Sequence, residues 1–124
     1  MALNRRQLQT RLSAVTSELL NEKGYISFVD IFMRLGYLSQ ADYENWRLKR
    51  VPYLEKVITV NLGKINFIMK TVRRNSLNRK LKASWTVYKS WRKGRKIDLR
   101  FSKSCDPNIE EAYATHFLRP KDLA

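Results

Sequence analysis

Apolar residues recur every third or fourth position near the start of the chain, at Leu3, Leu8, Leu12, Val15, Leu19 and Leu20. That spacing puts one stripe on a helix, so a helix is predicted over about 4–22, with Gly24 as its stop. "SFVDIFMRLG" opens on Ser27 with Asp30 three residues on, a relative of the capping box, and Phe28, Ile31, Phe32 and Leu35 form its stripe. A third helix starts at Ser39, with Asp42 at the same offset. Pro52 is placed to open a fourth, in which Leu54, Val57, Ile58, Leu62, Ile65, Met69 and Val72 share a face, with a break at Gly63. Trp85, Tyr88 and Trp91, three apart, predict a short helix over 84–94. Ile97, Leu99 and Phe101 alternate with Asp98 and Arg100, which predicts a short half-buried strand with "GYI" at 24–26 as its partner. A last helix is expected over about 107–117. The pattern gives a mainly α class, one domain of about five to six helices with a short strand or hairpin near 97–101.

Charge changes this picture more than composition does. Hydrophobic residues make up 44% of 124, enough for a folded core, and the formal net charge is +14. Residues 1–46 are neutral, with five Lys or Arg against five acids. Residues 47–103 hold eighteen cations against only Glu55 and Asp98. Acids that could balance a solvated face are missing there, so the block repels itself and a polyanion would relieve it. Between 73 and 96 the cations are interleaved with two Trp and one Tyr, the pairing that suits phosphates and stacked bases. The expected contacts are Arg47, Lys49, Arg50, Arg73, Arg74, Arg79, Lys80, Lys82, Arg92, Lys93, Arg95 and Lys96, joined by Trp85 and Trp91. Arg100 and Lys103, before the last helix, are added as a second place for an anion.

Candidate chemistry is thinner. "LRFSKSCDPNIEEAYATHF" gathers Cys105, Asp106, Glu110 and the only histidine, His116. Asp106 and Pro107 suit an N-cap and first helical residue, with Glu110 and Glu111 favourable at the positive end of the dipole. As a nuclease site the group is disfavoured, since Glu110 and His116 are six apart on one helix, about 240° round its axis. A lone cysteine beside a lone histidine forms neither a structural zinc site nor a disulfide. No cofactor or metal is expected, and more is said against enzymatic activity than for it. No secretory signal and no run long enough to span a bilayer are read, which points to the cytoplasm. Gly36 between two short helices invites a helix-turn-helix reading. Phe32 and Asp42 fall where a small and a buried aliphatic residue are needed, so an αα-hairpin with Tyr43 and Trp46 facing inward is preferred.

Two strings, "WRLKRVPYLEKV" at 46–57 and the stretch at 99–117, together with Ser84, Thr86 and Tyr88, resemble a family of small, basic, uncharacterised bacterial proteins. Lys49 and Cys105 stand where the family pattern has glycines, so two turns built differently are expected. The resemblance implies a bacterial cytoplasmic protein and no particular activity. The expected function is non-enzymatic nucleic-acid binding, DNA favoured over RNA, because no aromatic strand motif or Gly-x-x-Gly clamp speaks for RNA. The first alternative is an interaction subunit that docks an acidic protein through an exposed apolar patch near Leu99–Phe101; the next is a metal-dependent nuclease. Membrane-surface binding through 53–74 ranks last, because that apolar face is needed for the core.

Overall fold

The computed structural model describes residues 3–120. Helix α1 is Arg5–Lys23, and Asn4 and Gln7 cap it reciprocally: the Asn4 side chain accepts from the Gln7 N–H at 2.8 Å and Gln7 accepts from the Asn4 N–H at 3.0 Å. Its apolar stripe, Leu8, Leu12, Val15 and Leu19, is wholly buried. Gly24 ends it at φ 78°, a left-handed conformation in which a side chain would be strained. Strand β1 (Tyr25–Ile26) follows at once. Ser27 caps α2 (Phe28–Arg34), and Ser39 caps α3 (Gln40–Arg47), each hydroxyl accepting from the backbone N–H three residues on.

The segment after Pro52 is shorter and more broken than its periodicity predicts. A single 3-10 turn covers Leu54–Val57, and α4 runs from Leu62 to Asn78 with Asn61 as N-cap. The break near Gly63 is therefore a helix start. Ile65, Ile68 and Val72 of α4 pack on the α1 stripe to make the centre of the core. Burying each such side chain contributes roughly 1.5–3 kcal/mol.

Three further departures concern strands. Residues 84–94 are not helical: β2 (Lys82–Trp85) occupies the start, and an irregular arm follows. The last helix, α5 (Pro107–Ala114), stops early because Thr115–Leu118 form β3. The sheet order is β1-β3-β2, all antiparallel, with Phe117 opposite both Ile26 and Ala83. "GYI" is thus an edge strand, as its alternation suits, but its partner is β3 rather than 97–101. The latter residues fold back on the arm as a narrow hairpin, held by the Lys89–Asp98 bridge and by backbone bonds Ser90 N–H to Ile97 at 2.9 Å and Leu99 N–H to Tyr88 at 2.8 Å. The class is mainly α with a small sheet.

Candidate nucleic-acid interface

The expected contacts fall into three groups. The first is the arm. Trp46, buried completely, donates from Nε1 to the Arg100 carbonyl at 2.7 Å and is ringed by Tyr88 and Phe101. This fixes the end of α3, where the Arg47 carbonyl accepts from the Trp91 N–H at 2.7 Å. The Arg47 guanidinium lies 4.8 Å from the Trp91 ring centre and 5.3 Å from that of Tyr88. Beyond this anchor Arg92, Lys93, Arg95 and Lys96 stand exposed around a turn at Gly94, φ 90°. Arg47 therefore braces the arm from a half-buried position, while the tip carries the free cations. α3 packs on the 54–57 turn, with Trp46 buried and Tyr43 half-buried.

Arg73, Arg74, Arg79, Lys80 and Lys82 make the second group, all exposed at the end of α4 and along the start of β2. Trp85 closes this edge strand and is 59% exposed, against 46% for Trp91, whereas Tyr88 turns inward. Arg50 is exposed beside Asn45, and Lys49 is half-buried in a turn at φ 63°. Of the eighteen cations between 47 and 103, Lys89 alone forms an ion pair among the described residues, with Asp98.

Arg100 and Lys103 form the third group, and here the structure corrects the expectation of an anion site. Three backbone donors of "RFSKS", those of Phe101, Ser102 and Lys103, already have acceptors. Glu110 accepts from the Phe101 N–H at 2.8 Å, the Ser102 N–H at 2.7 Å and the Ser102 hydroxyl, while Glu55 accepts from the Lys103 N–H at 3.1 Å. Asp106 takes the N–H groups of Asn108 and Ile109 at the start of α5. The Arg100 guanidinium turns back to the Ser102 and Lys103 carbonyls at 3.2 and 2.7 Å. Two protein carboxylates fill the place an anion would take, so Arg100 is a structural residue and only Lys103 stays open to solvent. Tyr113, hydrogen-bonded to Glu55 at 2.6 Å, completes this clamp. Burial first, and the Glu55 carboxylate second, hold its hydroxyl firmly protonated.

Lys49 and Cys105 both adopt left-handed backbone, φ 63° and 57°. The turns are thus of the kind glycine favours. A left-handed residue with a side chain costs about 1–2 kcal/mol, and glycine loses about 0.5–1 kcal/mol of chain entropy instead. Lys49→Gly and Cys105→Gly are expected to raise the melting temperature by a few degrees each, read by thermal unfolding; a drop would mean that the side chains contribute more than the strain.

His116 does not approach Asp106 or Glu110. Alternation along β3 sends Phe117 to one face of the sheet and His116 to the other, where it shares a 2.9 Å hydrogen bond with the Tyr88 hydroxyl and stacks on Tyr25. Together with Ser27, Asp30, Tyr43, Arg47 and Lys23 these side chains line a polar pocket of about 290 Å³ that the sequence did not reveal. Burial holds the imidazole below its ordinary pKa despite the opposing charge of Asp30, and burial also raises Tyr88. Asp30 is committed to Lys23 at 2.9 Å and to the Ser27 hydroxyl at 2.7 Å. Neutral His116 and protonated Tyr88 join the sheet to the arm, which is a positioning role. No group of three or more His, Cys, Asp or Glu capable of holding a metal occurs among the described residues, nor is any helix there long and apolar enough to cross a membrane. A scan against family models, a search of curated proteins and a search of solved structures each found no match.

Proposed function

We propose that this chain binds nucleic acid, DNA in preference to RNA, and holds it without acting on it chemically. The observation that carries this reading is the set of exposed cations on the arm tip and along the α4–β2 connection, without ion-pair partners among the described residues, with two exposed tryptophans among them. Cations so placed neutralise phosphates and release condensed counterions. Trp91 already has Arg47 and Tyr43 against its ring, whereas Trp85 makes no ring or cation–π contact among the described residues. Trp85 is the residue offered to an unpaired base.

The test is titration of labelled single-stranded and duplex DNA into the parent protein and Trp85→Ala. The parent should bind both. The variant should lose roughly 1–3 kcal/mol for the single strand, the usual worth of one stacked base, and little for the duplex, whose bases are already stacked. Equal affinity of parent and variant for the single strand would remove Trp85 from the interface. Failure of the parent to bind either would refute the function itself.

A further inference from the structure

Alternation along β3 leaves a second feature on the face opposite His116. Phe28, Tyr113 and Phe117 form the floor of an open groove of about 1040 Å³ between α4 and α5. Its walls are apolar side chains that nothing among the described residues covers: Leu62 and Leu77 on α4 are 58% and 55% exposed, and Ile109 on α5 is 42% exposed. Met69 lies between the two leucines along the same wall. Leu62 to Leu77 is fifteen residues of helix, about 22 Å at 1.5 Å per residue, the length of a four-turn helix laid alongside. A contiguous apolar surface of this kind on a folded chain marks an interaction site. The Leu99–Phe101 edge, the place expected for such a patch, is buried at 6% and 3% exposure and offers none.

The rim chooses the occupant. Lys70, Arg73 and Lys103 line the groove, and none of them has an acidic partner among the described residues. Of the acids there, Glu55 is taken by Tyr113 and the Lys103 N–H, which leaves Glu111 alone against three cations. A second copy of the chain, itself at +14, would bring a like-charged rim onto this one. A nucleic-acid duplex has no apolar ridge to fill the floor, and a flat bilayer does not enter a concave slot.

We infer that the groove between α4 and α5 docks an amphipathic helix of a partner protein, with leucine-like side chains on one face and Asp or Glu on its flanks. The apolar face replaces water over Met69, Leu77 and Ile109, and the flanking carboxylates meet Lys70, Arg73 and Lys103. This is the helix-in-groove mode, in which anchors one and two turns apart supply the affinity and charge supplies the choice of partner. The groove does not depend on the arm tip and shares only Arg73 with the cations assigned to nucleic acid, so peptide binding that survives loss of the arm tip is read apart from the nucleic-acid reading.

The experiment is selection from a display library of helices about sixteen residues long, each with a varied apolar face, half with acidic and half with basic flanks. Enriched sequences should be acidic and bind the full chain with Kd of roughly 1–10 µM. Leu77→Ser with Ile109→Ser, and separately Lys70→Glu with Arg73→Glu, should each weaken binding at least about tenfold. The second pair should also shift the preference towards basic flanks. All four positions are exposed, so thermal unfolding of both variants should stay near the parent. The fourfold alanine variant of the arm tip should bind the peptide unchanged. Enrichment of basic helices, or of none, would overturn the inference. So would binding that ignores Leu77 and Ile109, because it would be charge attraction to the basic surface at large. Displacement of the peptide by a fatty acid at equal concentration would also overturn it, in favour of an acyl chain.

Discussion

Replacing Arg92, Lys93, Arg95 and Lys96 together with Ala is expected to weaken duplex DNA binding about 10²–10³-fold near physiological salt, similarly for all sequences. Each neutralised phosphate contributes about 0.9 to the slope of log K against log salt, so four lost contacts should flatten that slope by about 3–4 units. Stability should change little, since all four side chains are exposed and none has an acidic partner among the described residues. Relief of self-repulsion should make any change slightly favourable. The arm itself survives the substitution, because its anchors are the Trp91 N–H to Arg47 carbonyl bond, the Lys89–Asp98 bridge and the ring contacts of Tyr88. A binding isotherm and a thermal melt on the same preparation check both halves. Unchanged affinity would move the interface to the α4–β2 connection, where Arg73, Arg74, Arg79, Lys80 and Lys82 remain.

The second large effect concerns stability and separates a structural carboxylate from a catalytic one. Glu110→Ala strands the Phe101 and Ser102 N–H groups and the Ser102 hydroxyl, all part-buried. Hydrogen bonds to a charged group contribute about 1.5–3 kcal/mol each, and water re-entering the loop restores some of that, so a net loss of about 2–4 kcal/mol is expected. For a chain of this size that is a fall of roughly 10–20 °C in melting temperature. The damage should spread, because the loop also presents the Arg100 carbonyl to Trp46 Nε1 and the Phe101 carbonyl to the Glu55 N–H. Glu111→Ala, one residue on and exposed, should stay within about 0.5 kcal/mol of the parent. If Glu110→Ala melted like the parent, the clamp would be unimportant and a chemical role for Glu110 would need reopening.

The parts of the fold that were legible in the sequence are those governed by local rules. α1 has an apolar stripe and a stop glycine, α2 a capping serine and a stripe, and α3 a capping serine, and all three stand where these signals put them. Asp106–Pro107 is equally local and begins α5 as expected. The predicted 84–94 helix failed because a spacing of three does not define an environment. Trp85 lies on an exposed strand edge, Tyr88 turns into the core and Trp91 is held by Arg47. What distinguishes them is the pairing of 82–85 with 115–118, a contact more than thirty residues apart along the chain. The same non-local pairing cut α5 short, since Phe117 is buried better opposite Ile26 and Ala83 than at a helix end.

The candidate site divides along the same line. That acids are scarce in 47–103, with only Glu55 and Asp98 against eighteen cations, can be read from composition, and the exposure of the tip and of the α4 end agrees with it. The fate of Arg100 could not be read, because it depends on Glu110 and Glu55 reaching one loop from two other elements. Nor could the two faces of β3 be foreseen, one with the His116–Tyr88 pocket and one with the apolar groove. Both follow from placing a strand where periodicity suggested the last turn of a helix.

Fluorescence anisotropy with labelled duplex DNA, single-stranded DNA and duplex RNA, repeated across a salt series, tests the central claim most directly. Binding with a log–log salt slope of several units, about −0.9 for each phosphate neutralised on a duplex, and with duplex DNA held more tightly than duplex RNA, is the predicted result. Absence of binding to all three at low salt would contradict it, and the basic block would then have to serve a partner other than nucleic acid.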